Sequence, residues 1–218
     1  MGRSKMMPKP GIKGLYAVTP DCPDTEELLR RVKPVLTGGG RVLQYRNKSA
    51  GAALRLAQAT ALRELTREFA VTFIVNDDPQ LAAQVDADGV HLGATDGELK
   101  AARDLLGKRK IIGVSCYNRP SLARQAVAAG ADYVAFGAFF SSRIKPDAVT
   151  ADIALLRQAR SELKVPLVAI GGITLQNAVP LLDAGADALA IISALFDAAD
   201  IQAAAQDFSK LFIQEQAS

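Results

Sequence analysis

Ala129-Gly130-Ala131-Asp132-Tyr133-Val134-Ala135-Phe136 returns later in the chain as Ala184-Gly185-Ala186-Asp187-Ala188-Leu189-Ala190-Ile191, and Ala87-Asp88-Gly89-Val90 is a looser echo. A glycine just after a helix can take the left-handed conformation that caps it, and the short apolar run that follows has strand length. Each copy therefore reads as a helix end, a turn and a strand. The recurrence is that of a βα unit, not of identical stacked modules.

Working outward, short apolar segments alternate with amphipathic ones along the whole chain. Strands are expected at 15–18, 42–46, 73–76, 89–92, 111–115, 133–137, 167–170 and 188–192. Eight strands, each followed by a helical segment, favour a single-domain (β/α)8 TIM barrel, although 218 residues is short of the typical ~250. An open doubly wound sheet is the alternative, but it rarely shows eight such even units. Leu54, Ala57, Ala61, Leu62, Leu65 and Phe69 recur at three- and four-residue spacing, as one apolar helix stripe does. Asp24 followed by Glu27 reads as a helix start, and Pro120 suits a first turn. No linker divides the chain. Residues 1–13, with Arg3, Lys5, Lys9 and Lys13, are expected to form a flexible basic tail, and 14–213 the barrel.

Composition narrows the function. A net charge of +3 is too mild for a nucleic-acid binder, and with 6% aromatic residues and no Trp there is little to stack on bases. No apolar run is long enough to span a membrane, and the basic N-terminal stretch lacks the apolar core of a signal peptide. Cys22 and Cys116 lack metal-ligand spacing, and without a secretory signal a disulfide is not expected. A cytosolic protein acting on small molecules fits best, and a homo-oligomer is left open.

In a barrel, active residues belong at the C-terminal ends of strands and in the loops that follow. Polar residues collect there. Val42-Leu43-Gln44-Tyr45-Arg46-Asn47-Lys48 begins apolar and ends in Gln44, Arg46 and Lys48. Period two would send these three to one side, a socket for a polyanion; the alternative is a polar strand end facing water. After the third strand come Asn76, Asp77 and Asp78, and after the fourth comes Asp96; Ser115 ends the fifth and Lys145 follows the sixth. Asp77 and Asp96, from adjacent loops, are placed to share a hard cation such as Mg2+; the alternative is that each caps a helix, more so for Asp78, which precedes Pro79. The segments 170–174 (Ile-Gly-Gly-Ile-Thr) and 192–194 (Ile-Ser-Ala) are each expected to open a helix, offering backbone N–H groups to a phosphate where barrels usually hold one. Two such anion sites imply a reaction between two phosphorylated small molecules. His91 lies within an apolar strand and reads as a hydrogen-bonded core residue, and Cys116, without a base partner, as a small core residue.

Taken together, QYRNK (44–48), VNDD (75–78), GVHLG with an Asp three residues on (89–96), IGVSC (112–116), the Lys145 loop, AIGGIT (169–174) and IIS (191–193) resemble thiamine-phosphate synthases from about residue 15 to 195. The resemblance implies condensation of a hydroxymethylpyrimidine diphosphate with a hydroxyethylthiazole phosphate, by early loss of pyrophosphate and capture of a pyrimidine cation. It implies that Arg46, Lys48, Asn76 and Lys145 hold the pyrophosphate with help from Ser115, and that Asp77 and Asp96 ligate Mg2+. Gln44 would meet the pyrimidine edge, while Gly172, Ile192, Ser193 and the Ser142 hydroxyl would bind the thiazole phosphate. Two stretches depart from the family: the usual Pro-Thr-x-Thr-Lys is Ser141-Ser142-Arg143-Ile144-Lys145, and the usual Gln is Ala94. Two other functions share this barrel, a thiazole tautomerase and a metabolite-binding regulator without turnover.

Overall fold

The computed structural model of the chain describes residues 11–93, 96–141 and 151–214, without the side chains of Asp96 and Gln214. Eight strands, β1 (Gly14–Val18), β2 (Val42–Tyr45), β3 (Thr72–Asn76), β4 (Gly89–Leu92), β5 (Ile111–Tyr117), β6 (Tyr133–Phe136), β7 (Leu167–Ile170) and β8 (Ala188–Ile191), pair in parallel in sequence order. β8 closes on β1 in the register Leu15 to Leu189, so the sheet is the expected barrel. Between and after them run α1 (Thr25–Thr37), α2 (Ala52–Glu68), α3 (Pro79–Gln84), α4 (Asp96–Leu106), α5 (Pro120–Ala128), α6 (Ile153–Glu162), α7 (Val179–Asp183), α8 (Ser193–Phe196) and α9 (Ile201–Gln214).

Strands buried on both faces explain the near-continuous apolar runs. Leu15, Ala17, Leu43, Phe73, Val75 and Val90 face the helices. Tyr16, Val18, Val42, Ile74, Ile111 and Tyr133 fill the barrel. Asp24 caps α1 by accepting from the Glu27 N–H at 2.7 Å, and Pro120 is in the first turn of α5. The stripe on α2 is rotated from its expected position. Ala57 is exposed, and the buried residues are Gln58, Ala59, Leu62 and Thr66. Gln58 turns inward because its amide is fully used: it accepts from the Tyr45 hydroxyl at 2.9 Å and donates to the Cys22 carbonyl at 3.0 Å.

The repeated junction acquires a physical meaning. The carboxylates of Asp88, Asp132 and Asp187 each accept the backbone N–H of a residue in the preceding strand, Phe73, Ile112 and Leu167, at 2.8, 2.9 and 2.8 Å. Each also pairs with an arginine from the helix before that strand's neighbour: Arg63 on α2, Arg103 on α4 and Arg160 on α6, at 2.9, 2.7 and 2.9 Å. Strand, strand and helix are thus fastened at the N-terminal face, opposite the mouth, in three successive sectors. In the fourth, the residue before β2 is Arg41. It keeps the backbone bond, N–H to the Leu15 carbonyl at 2.9 Å, and has no carboxylate to offer. There the wall is backed by α9, through buried Ala205, Phe208 and Phe212, beside a cleft of about 810 Å3 that Arg41, Lys13 and Lys210 line.

Candidate functional site

β2 ends at Tyr45, so Arg46 and Lys48 lie beyond the sheet ladder, yet the alternation of sides continues through the loop. Asn47 is buried, donating to the Cys22 carbonyl at 2.7 Å and to Gln58 Oε1 at 3.0 Å. That anchor leaves Arg46 and Lys48 on the opposite, accessible side. The Arg46 backbone is clipped twice by buried Thr19, whose Oγ1 takes its N–H and donates to its carbonyl, both at 2.9 Å. Asp21, for which the sequence held no signal, accepts from Arg46 Nη1 and from the Lys48 N–H, both at 3.1 Å. The two cations are therefore set in place by the β1–α1 loop as much as by their own strand.

At the end of β3 the three polar residues separate by role. Asp78 is the helix cap, accepting the Leu81 N–H at 2.9 Å. Asp77 is not. Its backbone is left-handed, φ 60°, its carboxylate is exposed, and its Oδ2 accepts from Asn76 Nδ2 at 2.8 Å and faces Lys48 Nζ at 3.6 Å. Arg55 on α2, also unanticipated, completes a small cleft of about 60 Å3 with Lys48, Asn76, Asp77 and Asp78. Among the described residues no three His, Cys, Asp or Glu side chains are grouped to hold a metal. The exposed Asp77 carboxylate, which caps no helix, still suits Mg2+, which commonly takes one or two carboxylates plus substrate phosphate oxygens. Asp96 opens α4 just after β4, and its carboxylate lies outside the described residues.

Inside the barrel, one hydrogen-bonded row crosses from β2 to β5. Gln44 Nε2 donates to the Tyr16 hydroxyl at 2.7 Å, the Tyr16 and Tyr133 hydroxyls are 2.8 Å apart, and His91 joins Tyr133 through Nδ1 and Ser115 Oγ through Nε2, both at 2.8 Å. Gly113 makes room for this row: a Cβ there would fall 1.9 Å from Tyr133 Cζ. Burial pushes His91 down to about 4, against a smaller upward pull from Asp77, and pushes the hydroxyls of Tyr16 and Tyr133 up, so all three are neutral at pH 7. His91 is the hydrogen-bonded core residue that its position implied. Cys116 is fully buried and its thiol is pushed up to about 12. In the folded protein at pH 8 a thiol reagent should leave Cys116 unmodified, and labelling as fast as in urea would contradict this placement.

The other side of the mouth departs from expectation in one respect. Ile170-Gly171-Gly172-Ile173-Thr174 does not open a helix directly. Asn177 accepts the Thr174 N–H at 2.8 Å and donates to the Gly172 carbonyl at 3.1 Å, and this side-chain turn delays the helix until α7 at Val179. Gly172, at φ 60°, lies so close to the loop after β6 that a Cβ would come within 2.5 Å of the Ser141 carbonyl oxygen. After β8, Ile192 does precede a helix, α8, whose first N–H groups, on Ser193 and Ala194, come before the first intrahelical bond, Leu195 N–H to the Ile192 carbonyl at 3.0 Å. Ser142, Ile144, Lys145 and Ala94 lie outside the described residues. Gln44, Arg46, Lys48, Asn76, Asp77, Ser115, Gly172, Ile192 and Ser193 all stand at the C-terminal end of the parallel barrel.

Comparison with known proteins identifies the family. A family model described as thiamine monophosphate synthase matches residues 15–195. The chain belongs to that family. Curated thiamine-phosphate synthases from Methylobacillus flagellatus and Thiobacillus denitrificans are 58% and 54% identical, each over 93% of this chain and over 97% and 96% of their own. The solved thiamine phosphate pyrophosphorylase from Pyrococcus furiosus superposes with a TM-score of 0.82 at 35% identity, covering 92% of this chain and 96% of that one. Membership of the thiamine monophosphate synthase family makes the chain an enzyme, a transferase. Among the described residues no helix is long and apolar enough to cross a membrane.

Proposed function

We propose that this chain is a thiamine-phosphate synthase that joins 4-amino-2-methyl-5-hydroxymethylpyrimidine diphosphate to 4-methyl-5-(2-hydroxyethyl)thiazole phosphate. The observation that carries the reading is the 58% identity to a thiamine-phosphate synthase over nearly the whole chain, combined with fixed cations and an exposed carboxylate at one barrel mouth. The bond between the pyrimidine methylene and its diphosphate oxygen breaks, and its electron pair leaves with pyrophosphate. The thiazole nitrogen then gives its lone pair to the methylene carbon, forming a thiazolium.

Such a reaction asks for charge stabilisation where the pyrophosphate leaves, not for a nucleophile or a strong base. Arg46 and Lys48 meet the departing oxygens, Lys145 is proposed to join them, and Asn76 steadies Asp77. Asp77, with Asp96 as the proposed second ligand, would hold a Mg2+ whose charge offsets that of pyrophosphate when bound. Gln44 reads the pyrimidine edge, and Ser115 donates to the diphosphate. Gly172, Ser193 and the backbone beside Ile192 would take the thiazole phosphate through N–H groups, with the Ser142 hydroxyl beside them. Incubation with both substrates and Mg2+ should yield thiamine phosphate and pyrophosphate in equal amounts, and leaving out either substrate should stop both. No product at high enzyme concentration, with the pyrimidine diphosphate bound tightly, would replace this reading with that of a regulator.

A further inference from the structure

The row of side chains inside the barrel has a direction. Gln44 Nε2 can only donate, so the Tyr16 oxygen accepts from it, and the arrangement that leaves neither buried hydroxyl hydrogen unpaired turns the Tyr16 hydrogen toward Tyr133. The Tyr133 oxygen takes that hydrogen and passes its own to His91 Nδ1. A neutral imidazole that accepts at Nδ1 carries its hydrogen on Nε2, which faces Ser115 Oγ at 2.8 Å. Ser115 is thereby an acceptor toward the barrel and has its own hydrogen left for the mouth. At the other end one hydrogen of the Gln44 amide nitrogen is committed to Tyr16, which fixes the amide so that its carbonyl oxygen, with the second N–H beside it, is what a ligand meets.

We propose that Tyr16, Tyr133 and His91 are positioning residues whose one-way hydrogen-bond row presents the Gln44 carbonyl as an acceptor and the Ser115 hydroxyl as a donor, selecting a pyrimidine with an amino group and an anionic leaving group. The proposal rests on the synthase reading above for its ligand, and on the row alone for its polarity. An amino substituent donates to Gln44 Oε1, whereas an oxo group would bring two acceptors together. A diphosphate oxygen accepts from Ser115. Neither end needs to turn over when substrate arrives, because the three buried groups between them are packed as well as bonded: the His91 and Tyr133 rings stack with centroids 5.5 Å apart, and Tyr16 meets Tyr133 edge-on at 6.2 Å. The register that pairs His91 with Gly113, and Ser115 with Ala135, fixes the row to the wall itself.

The chain has a single histidine, so tag-free protein labelled with 15N-histidine gives one imidazole to observe. The expected spectrum is a single tautomer with hydrogen on Nε2 and a hydrogen-bonded, unprotonated Nδ1. In Tyr133→Phe, where the ring stays and the hydroxyl goes, the Nδ1 signal should move to its unbonded position. In turnover, Tyr133→Phe should lower kcat about 10- to 100-fold, as loss of an outer partner does elsewhere, with KM for the thiazole phosphate unchanged. Adding Ser115→Ala to Tyr133→Phe should cost little more, since both act through one hydroxyl. His91→Gln, whose amide nitrogen can stand where Nε2 does, should keep more activity than His91→Leu. Wild-type protein should prefer the amino- over the 4-oxo-pyrimidine diphosphate at least 100-fold, and Tyr16→Phe, which frees the Gln44 amide to rotate, should erode that preference.

Hydrogen on Nδ1 would mean that the row runs the other way and would overturn the proposal even in an active synthase. So would a Tyr133→Phe enzyme within twofold of wild type with its preference intact. A fixed Nε2–H tautomer in protein that makes no thiamine phosphate would instead overturn the substrate reading on which the selectivity depends.

Discussion

Asp77→Asn is expected to lower kcat/KM about a thousandfold, close to 4 kcal/mol of transition-state stabilisation, while the protein stays folded. The substitution removes the charge and keeps the shape. Asparagine also tolerates the left-handed backbone at this position, φ 60°, which alanine would adopt less readily. The fold should not suffer, because Asp78, not Asp77, caps α3. The size of the effect discriminates between causes. The exposed Lys48–Asp77 pair at 3.6 Å is worth no more than about 1 kcal/mol, roughly fivefold. A thousandfold loss therefore has to come from the carboxylate's action on the reacting charge, through Mg2+. Steady-state kinetics across a Mg2+ titration measures it, and a variant within tenfold of wild type at every Mg2+ concentration would remove Asp77 from the metal site.

Asp88→Ala should have the largest effect on stability, about 3 kcal/mol, because it orphans buried partners instead of deleting a surface contact. Asp88 and Arg63 side chains are only 19% and 12% exposed. Without the carboxylate, the Phe73 N–H and both terminal nitrogens of Arg63 lose their acceptor, and Arg63 Nε already has none. For a domain of this size the melting midpoint should fall by about 6–12 °C. Asp86→Asn is the control two residues away: Asp86 is 63% exposed, pairs at the surface with Arg67 and Lys110, and has a left-handed backbone, φ 54°, that asparagine tolerates, so its loss should cost about 1 kcal/mol. Urea unfolding of the two variants compares them directly, and equal midpoints would mean that the repeated aspartates do not clamp the wall.

The barrel was legible because its signals are local. Strand-length apolar runs, Asp24 at a helix start and glycine at helix ends each depend on a few neighbouring residues. The candidate site was legible in part for the same reason: exposed cations, and a carboxylate that caps no helix, stand out at strand ends, as Arg46, Lys48 and Asp77 do. What escaped depends on register between distant segments. Tyr16 and Tyr133 are separated by 117 residues, and nothing local says that their hydroxyls meet. Asp21 reaches the Arg46 loop across a gap of 25 residues and has no pattern of its own. Gln58 reads as a surface residue until Tyr45 and Cys22 are seen to use both ends of its amide. The turn at Asn177 was missed because a side chain there imitates backbone, which spacing alone does not reveal.

Arg41, standing where three other sectors have an aspartate, bears on how the molecule breathes. Openings short of global unfolding begin where a wall is weakly fastened, and the join of β1 to β2 behind α9, which lacks the aspartate clamp, is expected to be such a place. Solvent exchange of buried amides should therefore start at the N-terminal face of that join and spread from it. The mouth lies at the opposite end of the same strands, where Thr19 clips the Arg46 backbone. Slack is thus expected at the end away from the candidate site, with the rim that carries Arg46 staying assembled while the base of the barrel fluctuates.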